Sequence, residues 1–148
     1  MEDLILNMRV VLGTAFSLYL TTHGAHWNVE GATFYALHAM YKDQYEEIWG
    51  SLDDIAEQIR ALDAYAPFSM QTYQELSLIE EAKEGPFVNQ GMLLSLMDAH
   101  EILIDQMTIC MQMATEQNQQ GLANFLGGRI EAHQKHRWML RSTARSTV

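Results

Sequence analysis

The chain of 148 residues has one cysteine, Cys110, which excludes an intrachain disulfide framework and fits a reducing cytoplasm. It has two prolines, Pro67 and Pro86, and no repeat or low-complexity tract; punctuation this sparse favours long helices. Positive charge is scarce as well. Nine Lys and Arg against nineteen Asp and Glu leave a net charge of −10, which argues against a general nucleic-acid binder, because phosphate binding needs a basic surface. No glycine-rich phosphate loop is present, and Gly127-Gly128 falls within the last helix pattern. The apolar run at 10–20, VVLGTAFSLYL, is too short to span a bilayer. Acidic Glu2 and Asp3 precede it and no cleavage signal follows, so it reads as mature helix, with no membrane partner.

What the chain does have is helical periodicity. Leu4, Met8, Val11, Ala15, Leu18 and Thr22 alternate by four and three, and continuing that stripe lands on His26. Breakers at Asn28 and Gly31 end this helix. A second runs from about Thr33 to Leu62, with a core stripe of Phe34, Leu37, Tyr41, Ile48, Leu52, Ile55, Ile59 and Leu62. Its other flank carries His38, Lys42, Tyr45, Trp49 and Asp53, within roughly 80° on an ideal helix, which suggests packing against a second body. Residues 63–87 form a long connection in which 71–82 could be a short helix and Gly85-Pro86 the end. Helices from about Val88 to Glu116 and Leu122 to Thr143 follow, separated by a turn at Asn118 to Gly121. The expectation is one all-α domain over 1–148, a four-helix bundle with a short extra helix in a single long crossover, as in ferritin-like folds. The ten methionines read as core filler, and so does Cys110.

Candidate chemistry gathers in 22–62. His26 and His38 are two imidazoles twelve positions apart; Asp53 and Glu57 are carboxylates one helical turn apart. Each pattern alone is common, but together they form a ligand set suited to iron, manganese or zinc. His38 and Asp53 share one helix, fifteen residues and so roughly 22 Å apart, whereas metal–ligand bonds are about 2 Å. One copy cannot place both on one ion. Two copies packed antiparallel about a two-fold axis could do so twice, with Tyr45 and Trp49 as apolar filling. The alternative is a di-metal site inside the bundle, built from Glu-x-x-His. None of the six histidines has a glutamate three residues before it.

The remaining polar residues have plainer readings. His23 is structural, or a support for the site; His133 and His136 are structural or at the surface. Asp98, His100, Glu101 and Asp105 form a solvated face. Five basic residues in the last twenty positions (Arg129, Lys135, Arg137, Arg141, Arg145) complement the dipole of the final helix, or else bind an anion weakly.

On AHWNVEGATFYALH (25–38), DDIAEQIRAL (53–62), YQELSLIEEA (73–82), DAHEILI (98–104) and ANFLGGRIEAHQKHRWMLR (123–141), the sequence resembles the Dps family of ferritin-like mini-ferritins over nearly its whole length. The resemblance implies a hollow homododecamer that oxidises Fe2+ with hydrogen peroxide at inter-subunit ferroxidase centres and stores ferric mineral. By motif match, His26, His38, Asp53 and Glu57 carry over as iron ligands, with Trp27 beside them. Asp43, Glu46, Glu47 and Asp54 become candidates for an acidic cavity surface, a solvated helix face being the competing account. The chain departs from the family in three places. Lys42 stands where an aspartate usually contributes to the centre; it could pair with the partner's carboxylates and exclude a second iron, leaving a metal-sequestering cage with single-metal sites. Asn124 replaces an acidic pore residue often found there. The helix starts at Glu2 and Asp3 without a lysine-rich tail, so DNA binding is not expected.

Overall fold

The computed structural model describes residues 1–80, 82–84 and 89–145. Four long helices, α1 (Glu2–Asn28), α2 (Phe34–Ala61), α4 (Asn89–Glu116) and α5 (Gln120–Ala144), form the bundle. The short α3 (Met70–Leu76) lies in the connection between α2 and α4, and there is no strand among the described residues. The proposed crossover end at Gly85-Pro86 and the helix start at Val88 fall outside the described residues. α1 packs mainly on α2 and α4 on α5, while α1 also contacts α4 and α3.

The stripes read from the sequence bury as expected, with Leu4, Met8, Val11, Ala15 and Leu18 of α1 facing Leu37, Ile48, Ile55 and Ile59 of α2 and Leu96, Leu103 and Met107 of α4 in one core. Cys110 is part of it, and burial pushes its thiol up to about 12. Phe34 is a correction: at the first turn of α2 it stacks on His38 and is exposed rather than part of the core. The run 10–20 is also only part of α1, whose full 27 residues are long and apolar enough to cross a membrane by length and composition. The physical reason against that use is the buried stripe along α1, which already has a protein partner.

Two turns set the geometry of the ends. Between α1 and α2, Gly31 adopts φ 98, a conformation that disfavours a side chain. Asn89 pins this turn from α4, donating to the Glu30 carbonyl at 2.8 Å and to Thr33 Oγ1 at 3.3 Å. Between α4 and α5, Asn118 takes φ 60, which asparagine tolerates at a helix end.

The crossover is held along α1. Arg9 donates to the Tyr65 carbonyl at 2.8 Å, and the Leu78 amide donates to the buried Thr14 Oγ1 at 3.1 Å. Ser69 caps α3, its Oγ accepting from the Thr72 amide at 3.2 Å. α3 is shorter than the 71–82 segment proposed for it, because the chain turns extended at Ser77. Gly13 permits the close approach of α3: a Cβ there would lie 2.8 Å from Leu76 Cβ and 3.2 Å from the Tyr73 carbonyl oxygen. Gly13→Ala gains about 1 kcal/mol of helix propensity. It also overpacks this contact, at about 1–3 kcal/mol. We expect net destabilisation in urea titrations at fixed protein concentration, whereas Gly128→Ala, with open space around the new Cβ within the protomer, is neutral or stabilising.

Candidate metal centre

The α1–α2 hairpin places His26 and His38 on its two arms, symmetrically about the turn. Their rings stack at 3.7 Å with an interplanar angle of 18°. Each imidazole is fixed by the backbone of the other: His26 Nδ1–H donates to the His38 carbonyl at 2.7 Å, and His38 Nδ1–H to the His26 carbonyl at 2.7 Å. A carbonyl oxygen can only accept, so both protons sit on Nδ1. In the neutral form of each ring the lone pair is then on Nε2, the arrangement in which backbone carbonyls orient imidazole ligands toward a metal. His26 is buried and His38 half-buried.

Asp53 and Glu57 are exposed, one turn apart, near the other end of α2. α2 is unbroken between His38 and Asp53, so about 22 Å separates the two pairs along its axis. The structure thus brings together His26 with His38 and Asp53 with Glu57, but not one pair with the other. Among the described residues, no group of three or more His, Cys, Asp and Glu side chains is arranged to hold a metal ion. Lys42 is exposed and reaches along its own helix to Glu46, Nζ to Oε1 at 3.8 Å. An exposed pair of this kind contributes well under 1 kcal/mol, so the ammonium is free to choose another carboxylate. Trp27 and Trp49 are exposed, and so are Asp43, Glu46 and Asp54 elsewhere on α2.

Aromatic side chains line the ground around the histidines. His23 is half-buried, stacks on Tyr45 at 3.8 Å and shares a hydrogen bond of 2.9 Å between its Nδ1 and the Tyr19 hydroxyl. Burial, and after it the neighbouring His26, hold its imidazole below the usual range and hence neutral at pH 7.

A polar cluster in the bundle interior corrects three readings made from sequence. His100 is fully buried rather than solvated, although Asp98, Glu101 and Asp105 beside it are exposed. Arg129 complements no helix dipole; it is buried and bonds Glu47 in bidentate fashion, with Nη2 to Oε1 at 3.0 Å. Glu47 is accordingly no plain member of an acidic surface, since it also accepts from His136 Nε2 at 2.9 Å. Burial raises the Glu47 carboxyl, but the hydrogen bonds and charges of His136 and Arg129 outweigh it and hold the group far below the carboxylate range. Arg137, too, pairs with a side chain, Glu101, at 2.6 Å.

The donors in this cluster run in one direction. Arg129 Nη2 donates to His133 Nε2 at 3.1 Å. Neutral His133 must then carry its proton on Nδ1, which donates to His100 Nδ1 at 3.0 Å. That leaves the His100 proton on Nε2, a buried atom without a hydrogen-bond partner among the described residues. The signal was present in the sequence: Leu122, Leu126, Arg129, His133, His136 and Leu140 alternate by four and three, so the polar members share the inward stripe.

With this geometry in hand, the chain can be set beside known proteins. Residues 6–147 match the family model of the ferritin-like domain. The chain is 33% identical to a low temperature-induced protein of Nostoc, over 88% of this chain and 74% of that one. It is 31% identical to DNA protection during starvation protein 2 of Bacillus anthracis, over 84% and 85% respectively. Among solved structures, a Dps protein of Vibrio cholerae, described as a member of a broad superfamily of ferritin-like diiron-carboxylate proteins, superposes with TM-score 0.92 at 26% identity, covering 97% of this chain and 90% of that one. Dps of Thermosynechococcus elongatus gives 0.93 at 25%, covering 99% and 92%.

Acid should expose the buried histidines. Burial first, and then nearby positive groups, lower His100 to about 3 and His133 well below its usual 6.5. The unfolded chain takes up these protons below about pH 6.5 while the folded chain refuses them, so stability falls with pH from there toward 3, by up to about 1.4 kcal/mol per pH unit for each histidine. Glu47, lowered instead, adds its loss only below about pH 4.5. Urea midpoints between pH 6.5 and 4.5 should decline, and His100→Leu should make the decline shallower by about one proton.

Proposed function

This chain belongs to the ferritin-like family, within its Dps proteins, and from that premise we propose that it is an iron-storage and detoxification cage with ferroxidase activity. The substrate is Fe2+ and the preferred oxidant hydrogen peroxide. Copies of the chain pair about two-fold axes within a dodecamer, so that His26 and His38 of one protomer face Asp53 and Glu57 of the other. The observation that carries this reading is the reciprocal clasp of His26 and His38, which commits both Nδ1 atoms to carbonyls and leaves both Nε2 atoms as ligands. The continuity of α2 supports the inter-subunit arrangement, because neither half-site can reach the other within a chain. The exposed Trp27 and Trp49 supply apolar area for the contact.

The residues divide the work simply. Two neutral imidazoles and two carboxylates bind ferrous iron and partly neutralise its charge, which favours the ferric product more than the ferrous substrate. Two ferrous ions give one electron each to peroxide; two protons are taken up and two waters leave. The carboxylates would pass ferric iron on to the acidic residues Asp43, Glu46 and Asp54, which are exposed on the same helix.

A second reading has its own observation. The Lys42 ammonium lies one turn from His38 and is tied only weakly, to Glu46, so it can turn to a partner's carboxylate and take the place of one iron. The cage would then sequester one metal per site. We also infer that DNA is not a partner: the net charge is −10, and two of the basic residues of α5, Arg129 and Arg137, are engaged by Glu47 and Glu101.

Stopped-flow oxidation of Fe2+ by peroxide should slow by at least about tenfold in His38→Ala and in Asp53→Ala, with the assembly intact by size exclusion. Unchanged rates in both would sink the site. Anaerobic Fe2+ titration separates the two readings: two irons per site support the ferroxidase pair, one supports the Lys42 version, and Lys42→Asp should then restore the second. Duplex DNA at physiological salt should run unretarded in a gel with the protein.

A further inference from the structure

We propose that Asn89 is a positioning residue for the metal centre. From the first residue of α4, it clamps the turn between His26 and His38 and so sets how tightly that pair binds a divalent cation. The inference rests on the proposed function for the role of the histidines, and adds the residue that holds them in register. Five residues, Val29 to Thr33, separate α1 from α2. Asn89 grips two of them, donating to the Glu30 carbonyl at 2.8 Å and to Thr33 Oγ1 at 3.3 Å. A carbonyl oxygen only accepts, so the amide nitrogen of Asn89, not its oxygen, faces the turn. Between the two gripped residues Gly31 takes φ 98, with Asn89 Nδ2 3.9 Å from where a Cβ would stand.

Two residue choices follow from this contact. Thr33 is the N-cap of α2, where a hydroxyl ordinarily accepts from an amide of its own helix. It makes no such bond, and its oxygen takes the Asn89 amide instead. Asn89 opens α4, a place where the helix dipole favours an acidic side chain, yet the first turn of α4 has none. A carboxylate of the same shape would set an oxygen against the Glu30 carbonyl, with no proton between them. The position therefore carries the amide, which can donate.

The clamp matters because the histidine pair tolerates little play. Glu30 lies four residues beyond His26, and Thr33 five before His38. The two bonds between the histidines, each 2.7 Å, cross from one arm of the hairpin to the other. If the arms slide past each other, both bonds lengthen together and both rings turn. Metal ligands need placing within about 0.5 Å of their working geometry. A turn tied at two points to a third helix resists that sliding. Asn89 acts through the turn and not on the reacting atoms, so its effect falls on cation affinity rather than on the oxidation step.

The test uses the assembled, metal-free protein and Zn2+, which binds without redox chemistry. In calorimetric titrations the dissociation constant should rise about tenfold in Asn89→Ala and in Asn89→Asp, the low end of what loss of an outer-shell partner costs. Urea midpoints separate this from a merely structural role, because a carboxylate at the start of α4 should hold the Asp variant near wild-type stability. With Fe2+ and peroxide, KM for Fe2+ should rise by a similar factor in the Asp variant while kcat is unchanged. Unchanged Zn2+ affinity in Asn89→Asp overturns the clamp, and so does a loss of affinity seen only in variants with a lowered urea midpoint. His38→Ala is the control on the site. If it binds Zn2+ as wild type does, the ion goes elsewhere and the assignment of the histidines falls, and the clamp with it. Zn2+ binding lost in His38→Ala but kept in Asn89→Asp defeats the clamp alone.

Discussion

An α-helix advances about 1.5 Å per residue and does not compress, and the organisation of this protein follows from that fact. α2 runs without a break from Phe34 to Ala61, with His38 near its start and the carboxylate pair Asp53 and Glu57 toward its end. No rotamer change spans the gap. Under the proposed function the chain therefore carries two half-sites, each completed by the opposite half of a second copy. The same helix turns its core stripe inward and leaves the flank of His38, Lys42, Tyr45, Trp49 and Asp53 at least partly uncovered by its own chain.

The hairpin and the interior solve different electrostatic problems. At the hairpin, backbone carbonyls of α1 and α2 hold the Nδ1 protons of His26 and His38 on one side of each ring, which turns the Nε2 atoms away from those carbonyls. In the interior, the cation among Glu47, His100, His133 and His136 is a guanidinium. Arg129 is always charged and planar, so it satisfies Glu47 bidentately and fixes the tautomer of His133, and through it that of His100. A buried cluster of this kind adds little net stability, because desolvation offsets its attractions, but loss of one partner strands the others. It also ties α2 to α5, helices that otherwise share few close contacts.

The fold was legible because long amphipathic helices write their period plainly. Every helix boundary inside the described residues lies within a few positions of the one read from apolar spacing, and the short helix in the crossover was foreseen though overlong. The pairing of His26 with His38 was legible through the place of His26 at the end of a stripe and through motif likeness. The buried cluster was legible only in His133, which the apolar stripe of the last helix places near the inner face. Arg129 and His136 look like surface residues by type, and only their four-three spacing with Leu126, His133 and Leu140 places them inward. His100 was grouped with its acidic neighbours because identity outweighed register, although Leu96, His100, Leu103 and Met107 keep the buried spacing.

By itself the sequence determined the number of helices, the lengths of the four long ones, the long crossover, and the separation that keeps His38 from Asp53 within one chain, since each depends on residue spacing along one dimension. The tertiary structure decided what depends on distances between helices. It set the reciprocal hydrogen bonds that choose the histidine tautomers, the Gly13 contact that seats α3, and the pairing of Glu47 with a guanidinium from α5. Helix period tells which way a side chain points; only packing tells what it meets there, and a tautomer or a buried charge is settled by its partner rather than by its own chemistry.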